Sequence, residues 1–203
     1  MKKTALIIAL FIVVIYSASA QITYGVKVGL NISKQHYGIK PIDEDIDFRA
    51  GLNAGFYGKY KINDKFDIQP ELLYSQQGYK DNVPLTDIGG YMIRDGYKIL
   101  SHYINIPVVL KYYFHKSFYV EAGPQVGFCF GSRLQHNEDY IDEVLKMDFR
   151  TLDFSLVGGL GVDFGRGLSV NARYNHGLTG TAPESDFKNR VIQVSLSYNL
   201  GNF

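Results

Sequence analysis

Cysteine is all but missing from this 203-residue chain, with Cys129 the single one, so no internal disulfide framework can hold the fold together. Charge of one sign is missing as well. With 21 Lys and Arg against 20 Asp and Glu the formal net charge is +1, which leaves no basic surface to argue for a nucleic-acid partner. Beyond the first twenty residues no apolar run reaches the ~20 residues that a membrane-spanning helix needs, and no long helical periodicity appears. Proline is sparse at 6 positions, whereas 16 Tyr, 13 Phe and 21 Gly are present. That composition favours strands punctuated by turns, and the chain reads as all-β.

The first residues, Met1-Lys2-Lys3, precede an apolar run from Ala5 to Tyr16 and then Ser17-Ala18-Ser19-Ala20. A positive start, a short apolar stretch and an Ala-x-Ala pattern are the marks of a secretory signal peptide, with cleavage expected after Ala20. Residues 1–20 are thus expected to be removed and 21–203 to form one domain. Loss of Lys2 and Lys3 takes the formal charge from +1 to −1. Gln21 follows the cleavage point, so no lipid-anchored cysteine is expected there.

Period-two alternation, the mark of a strand with two unlike faces, recurs through nearly all of the remaining chain. It marks eight strands, near 22–32, 50–61, 66–77, 100–114, 118–130, 152–164, 168–175 and 192–200. In the first, Ile22, Tyr24, Val26, Val28, Leu30 and Ile32 alternate with Thr23, Gly25, Lys27, Gly29 and Asn31. Apolar residues take the even positions in every strand. Three connections are short: Ile62-Asn63-Asp64-Lys65, His115-Lys116 and Gly165-Arg166-Gly167. The other four are long, near 34–49, 79–99, 132–150 and 176–189. Short turns on one rim and long loops on the other are the habit of bacterial outer-membrane barrels.

Alternation by itself also suits a soluble barrel with an apolar interior, so the direction of each face needs separate argument. Strands of ~10–14 residues exceed the ~9–11 that a tilted strand needs to cross a bilayer. Aromatics such as Tyr24, Phe66, Tyr74, Phe118, Phe130, Phe154, Tyr174 and Tyr198 stand at or near the ends of the apolar rows, as in interfacial girdles. The polar rows are rich in Gly, Asn, Ser and Gln, which suit a narrow interior. The expected fold is therefore an eight-stranded antiparallel up-and-down transmembrane β-barrel with four long extracellular loops and three short periplasmic turns. Phe203 ends the chain out of phase with the last apolar row unless Gly201 bends the strand.

Several stretches resemble those of the PorT-like or porin-like outer-membrane barrels of Gram-negative bacteria. They are Tyr24-Gly25-Val26-Lys27-Val28-Gly29-Leu30-Asn31, Gln69-Pro70-Glu71-Leu72-Leu73-Tyr74-Ser75-Gln76-Gln77-Gly78, Tyr103-Ile104-Asn105-Ile106-Pro107 with Leu110-Lys111-Tyr112-Tyr113, and Ala172-Arg173-Tyr174. The Pro-Glu-Leu-Leu-Tyr-Ser stretch is the most specific of these. The resemblance spans the chain from residue 21 and implies an OmpA-like barrel in the outer membrane. It implies no reaction and no catalytic residue.

With even positions facing lipid, the interior is expected to hold Lys27, Lys59, Lys61, Lys111 and Arg173 against Asp67, Glu71, Glu121, Asp153 and Asp163. Five of each sign suit a narrow lumen in which buried charges must pair. The interior of eight strands is just wide enough for side chains to fill, so a plugged lumen is expected, its charges forming a structural network. The competing reading is an ion path or gate.

Other chemistry is thin. The acidic groups Asp43-Glu44-Asp45 with Asp47, and Glu138, Asp139, Asp142 and Glu143, lack the spacing of a calcium loop and read as solvated loop charge. His36, His102, His115, His136 and His176 are scattered without a metal-binding pattern. Gly158-Gly159-Leu160-Gly161 lies inside a strand, which argues for close packing and not for a nucleotide loop. Cys129 reads as a small lumen filler. No catalytic group, cofactor or metal is called for.

The leading expectation is a non-enzymatic structural or binding barrel acting through its extracellular loops, where Tyr37, Tyr91, Tyr97 and Tyr140 stand among charges. A small porin-like channel comes second, and a membrane-embedded lipid or peptide hydrolase or transferase third. The expected partners are outer-membrane lipid and lipopolysaccharide, the barrel-assembly machinery during insertion, and an extracellular ligand or envelope protein. A monomer is expected.

Overall fold

Backbone groups in a bilayer must find partners within the protein, and a sheet meets that demand only by closing on itself. The computed structural model, which describes residues 22–36, 46–81, 97–136, 151–180 and 188–202, contains such a closed sheet. Its strands are β1 (Ile22–His36), β2 (Ile46–Asp47), β3 (Arg49–Lys61), β4 (Phe66–Asp81), β5 (Tyr97–Tyr113), β6 (Phe118–His136), β7 (Leu152–Gly165), β8 (Leu168–Gly180) and β9 (Lys188–Asn202). The eight long strands follow one another around the wall in the order β4-β3-β1-β9-β8-β7-β6-β5, and β5 closes the circle by pairing with β4. All of these pairings are antiparallel. The two-residue β2 was not expected from the sequence; it adds to β4 through Ile46↔Asp81 and Asp47↔Lys80.

The short turns have local causes. In the β3–β4 turn, Asn63 Oδ1 accepts hydrogen bonds from the backbone N–H of Lys65 at 2.9 Å and of Phe66 at 3.0 Å, a side-chain substitute for a backbone turn. The β7–β8 turn takes Gly165, Arg166 and Gly167 through positive φ of 76°, 52° and 82°, and the two glycines accept that conformation without a Cβ penalty.

The strands run further at the long-loop rim than the hydrophobic pattern does. Residues 34–36, 79–81, 97–99, 132–136, 176–180 and 188–189, expected as loop, are strand. Above the lipid the outward side chains become polar, so the alternation fades while backbone pairing continues. Residues 37–45, 82–96, 137–150 and 181–187 of the long connections lie outside the described residues, as do residues 1–21 and Phe203. A bulge marks the end of β9: Tyr24 pairs with Gly201 and Gly25 with Asn199, so Leu200 is the extra residue. The extra residue shifts the phase of β9 next to Gly201.

Even-numbered apolar side chains face outward along the wall: Phe56, Leu160 and Phe130 are each more than 60% exposed. Apolar surface on this scale is not carried by soluble monomers and belongs against lipid. Tyr74, Phe130, Phe154 and Tyr174 lie toward the long-loop rim and Phe66, Tyr112, Phe118 and Tyr198 toward the short-turn rim, at register levels that fit two aromatic girdles. Odd-numbered side chains fill the interior, Asn31, Asn53, Gln69, Gln125, Asn171 and Ser195 among them.

Not every inward position is polar. Leu73, Val109, Val157 and Val191 are buried inside with Tyr57, Tyr103 and Tyr119, an apolar share of the lumen that the sequence pattern did not reveal. Glycines make room for the rings. Gly25 is the register partner of Tyr57 and Gly161 that of Tyr119, and a Cβ at either glycine would collide with the tyrosine ring.

Candidate functional site

At mid-height the lumen is crossed by charge. Glu71 on β4 and Arg173 on β8 stand four strands apart in either direction around the wall, diametrically opposite in an eight-stranded barrel. Arg173 Nη1 donates to Glu71 Oε2 and Nη2 to Glu71 Oε1, both at 2.7 Å. This is the paired fork geometry in which guanidinium and carboxylate bind most strongly. Lys27 on β1 and Glu121 on β6 occupy the two quadrants between them. Lys27 Nζ donates to Glu71 Oε1 at 2.7 Å, and Arg173 Nε donates to Glu121 Oε1 at 2.6 Å. Two cations and two carboxylates thus meet at the barrel axis, each side chain at most about 1% exposed.

Neighbours complete the arrangement. Gln69 Nε2 donates to Glu71 Oε1 and Asn171 Nδ2 to Glu121 Oε1, so the carboxylate oxygens are held by neutral donors as well as by cations. Gly159 lies between Arg173 and Glu121 in the register across β8, β7 and β6, and its missing side chain leaves the gap over which they join. Lys111 is the register partner of Glu121 on one side and of Asp67 on the other. Its ammonium sits over the Tyr119 ring at 4.1 Å from the centroid, a contact that desolvation strengthens.

The remaining charges expected in the lumen are placed apart from this centre. Lys59 and Asp67 approach to 3.9 Å nearer the short-turn rim, and Tyr113 Oη donates to Asp163 Oδ2 at 3.0 Å. Asp153, toward the other rim, is held by hydrogen bonds from Thr179 Oγ1 at 2.8 Å and Asn189 Nδ2 at 3.0 Å. Lys61 is a correction. It leaves the interior at the end of β3 and donates to Asp64 at 2.8 Å, both groups well exposed. This hydrogen bond holds the Asp64 carboxyl below its ordinary pKa. Lys61 is the last residue of β3, so its side chain meets solvent at the rim although its backbone still pairs with Asp67. Cys129 is buried inside the wall, its thiol near Gly131 O and Ser132 Oγ.

The sequence named every member of the central cluster but not who meets whom. The signal was present: eight up-and-down strands put the third expected strand opposite the seventh, which aims Glu71 at Arg173. Among the described residues no group of three His, Cys, Asp or Glu side chains gathers as a metal site, and no helix is long and apolar enough to cross a membrane.

A closed barrel with an apolar outside and charged inside matches what comparison with known families finds: the model of the outer membrane protein β-barrel domain matches residues 17–182. The chain belongs to that family. Comparison with curated proteins finds no match. Among solved structures, this outer-membrane barrel is similar to Neisserial surface protein A, at 11% identity and a TM-score of 0.57, with 87% of this chain and 97% of that one covered. It is also similar to Ail, the attachment invasion locus protein of Yersinia pestis, at 10% identity and a TM-score of 0.48, covering 89% and 99%. OprG from Pseudomonas aeruginosa matches at 13% identity and a TM-score of 0.44, covering 90% and 97%. The likeness to the Neisserial barrel is one of fold.

Proposed function

We propose that this outer-membrane barrel is a non-enzymatic structural or binding protein whose lumen is closed by the Lys27–Glu71–Arg173–Glu121 cluster and whose work is done by its extracellular loops. The observation that carries this reading is the double hydrogen bond of Arg173 to Glu71 across the full width of the lumen. An open aqueous path would have to break charge-assisted bonds on both sides of the axis. Both carboxylates are fully engaged as acceptors and enclosed, so neither is placed to take a proton from a substrate, and the cluster acts as a brace. Lys59, Lys111, Asp67, Asp153 and Asp163 extend that brace toward the two rims.

The chain is exported by residues 1–20, cleaved after Ala20, inserted by the barrel-assembly machinery and held as a monomer in lipid and lipopolysaccharide. The PorT-like assignment rests on the stretch around Pro70-Glu71-Leu72-Leu73-Tyr74-Ser75 and belongs with this proposal.

The test is single-channel conductance of residues 21–203 refolded in detergent, folding first confirmed by heat-dependent gel mobility, then reconstituted in a planar bilayer. Silence is expected. Stable discrete openings from folded protein would overturn the sealed-lumen reading and make Lys27, Glu71, Glu121 and Arg173 gating residues of a small pore.

A further inference from the structure

The outer face of the wall carries a basic group that the lumen does not explain. Lys34 on β1 is the register partner of Arg190 on β9, and Arg190 is in turn the partner of His176 on β8. One step further from the membrane, His36 on β1 pairs with Lys188 on β9. All five are even-numbered and none is buried, whereas Gln35 and Asn189 between them are buried in the interior. Five basic side chains therefore occupy two successive outward rows on three adjacent strands. Among the described residues, the charged groups that act on His176 are Arg190, Lys188 and His36.

A multiply charged anion lying across these rows can be met by several basic side chains at once, through charge-assisted hydrogen bonds. The rows also border an open surface cavity of about 370 Å³ lined by Lys34, His36, Phe48, Tyr174, Arg190 and Ile192. Its lower wall, Tyr174 and Ile192, belongs to the next outward row toward the membrane and continues into the lipid-facing surface. Phe48, beyond β2, places its ring 5.6 Å from Lys34 Nζ. Among the described residues, the exposed carboxylate of Asp47, beside Phe48 in the chain, borders the group.

We propose that this face of β1, β8 and β9 binds the phosphate groups of an outer-leaflet glycolipid, with Lys34 and Arg190 as the principal phosphate ligands. A lipid-borne phosphate is favoured over a free one because the cavity is half apolar and opens onto the membrane surface, so a headgroup and the start of its acyl chains fill both halves together. Basic clusters at the headgroup level attract anionic lipid in this way. The inference deepens the lipopolysaccharide partnership proposed above and rests on the long-loop rim facing outward; it is independent of whether the lumen conducts.

The test uses residues 21–203 folded in detergent, loaded with bisphosphorylated lipid A, washed through a detergent gradient and read by native mass spectrometry. One retained lipid A per barrel is expected, with retention reduced about tenfold or more in the double variant Lys34→Gln, Arg190→Gln. Lys65→Gln, at the opposite rim, serves as the control and is expected to retain lipid as the parent does. Lipid A stripped of phosphate is expected to wash off, and millimolar inorganic phosphate to leave the complex intact. Equal retention by the double variant, equal retention of the dephosphorylated lipid, displacement by inorganic phosphate, or no retention at all would each overturn the site. Heat-dependent gel mobility and conductance, read on the same samples, keep a failure of this site distinct from a failure of the barrel or of its closed lumen.

Discussion

Replacing Glu71 by Gln preserves the volume of the side chain while removing the carboxylate that accepts hydrogen bonds from both Lys27 and Arg173. In the parent, Lys27, Arg173, Glu71 and Glu121 sum to zero inside a space from which solvent is excluded. Glu71→Gln leaves an uncompensated cation there, and it turns acceptor oxygen into an amide that donates toward Lys27 Nζ or the Arg173 guanidinium. Breaking a buried pair by removing one partner costs about 3–5 kcal/mol. At about 2–4 °C per kcal/mol for a domain of this size, the midpoint of heat-dependent gel mobility in detergent is expected to fall by about 6–20 °C. Urea titration of the same variant gives the free energy directly. The double variant Glu71→Gln, Lys27→Met removes one charge of each sign and is expected to be less destabilised than the two single changes added together, with a coupling of about 1–3 kcal/mol. If Glu71→Gln unfolds within 1 kcal/mol of the parent, the cluster is not a brace and the reasoning from buried charge fails.

Two glycines three positions apart make a sharp contrast on β7. A Cβ at Gly161 would strike the Tyr119 ring, whose neighbour is the Lys111 ammonium, whereas one at Gly158 would meet nothing within 4 Å. Gly161→Val is therefore expected to cost about 1–3 kcal/mol by overpacking and Gly158→Val to stay within about 0.5 kcal/mol of the parent, both read by urea unfolding in detergent; equal effects would refute the inward and outward assignment. In the β3–β4 turn, Asn63→Ala removes the acceptor of two backbone donors that water can partly satisfy, so a loss of about 0.5–1 kcal/mol is expected. A loss above 2 kcal/mol in the same titration would mean that the turn does more than close a hairpin.

The wall was legible in the sequence because a barrel between lipid and a polar lumen imposes period two on nearly every residue, and Lys27, Glu71 and Arg173 each keep that parity. Strand ends were less legible. Ser132 and Arg133 were expected in a loop, yet a bulge at Phe130 shifts the register, and Ser132 Oγ meets Ser101 Oγ at 2.8 Å inside the wall. Leu73, Val109, Val157 and Val191 were hidden for a different reason. An apolar residue at an inward position reads as a gap in the alternation, and nothing local tells whether the lumen at that height is wet or packed. The partnership of Arg173 with Glu71 spans 102 positions of sequence, and only the count of strands brings it within reach. The basic rows on β1, β8 and β9 escaped notice because Lys34 and His176 were placed in loops, where a charge ordinarily needs no explanation.

What holds the barrel together is not the burial that stabilises a soluble sheet. Its largest apolar side chains point outward, where lipid is as apolar as they are, so pairing them against one another gains little. The driving terms are instead closure of the backbone hydrogen bonds, since an open edge has no water to turn to, and satisfaction of the polar lumen. That inverts the usual expectation for mutations. Trimming Leu160 or Phe56 costs little because lipid refills the space, while a conservative change at Glu71 or Gly161 is felt across the lumen. A site for an outside partner must then lie where neither constraint acts, above the lipid belt and outside the packed interior, which is where Lys34, His36, His176, Lys188 and Arg190 are found.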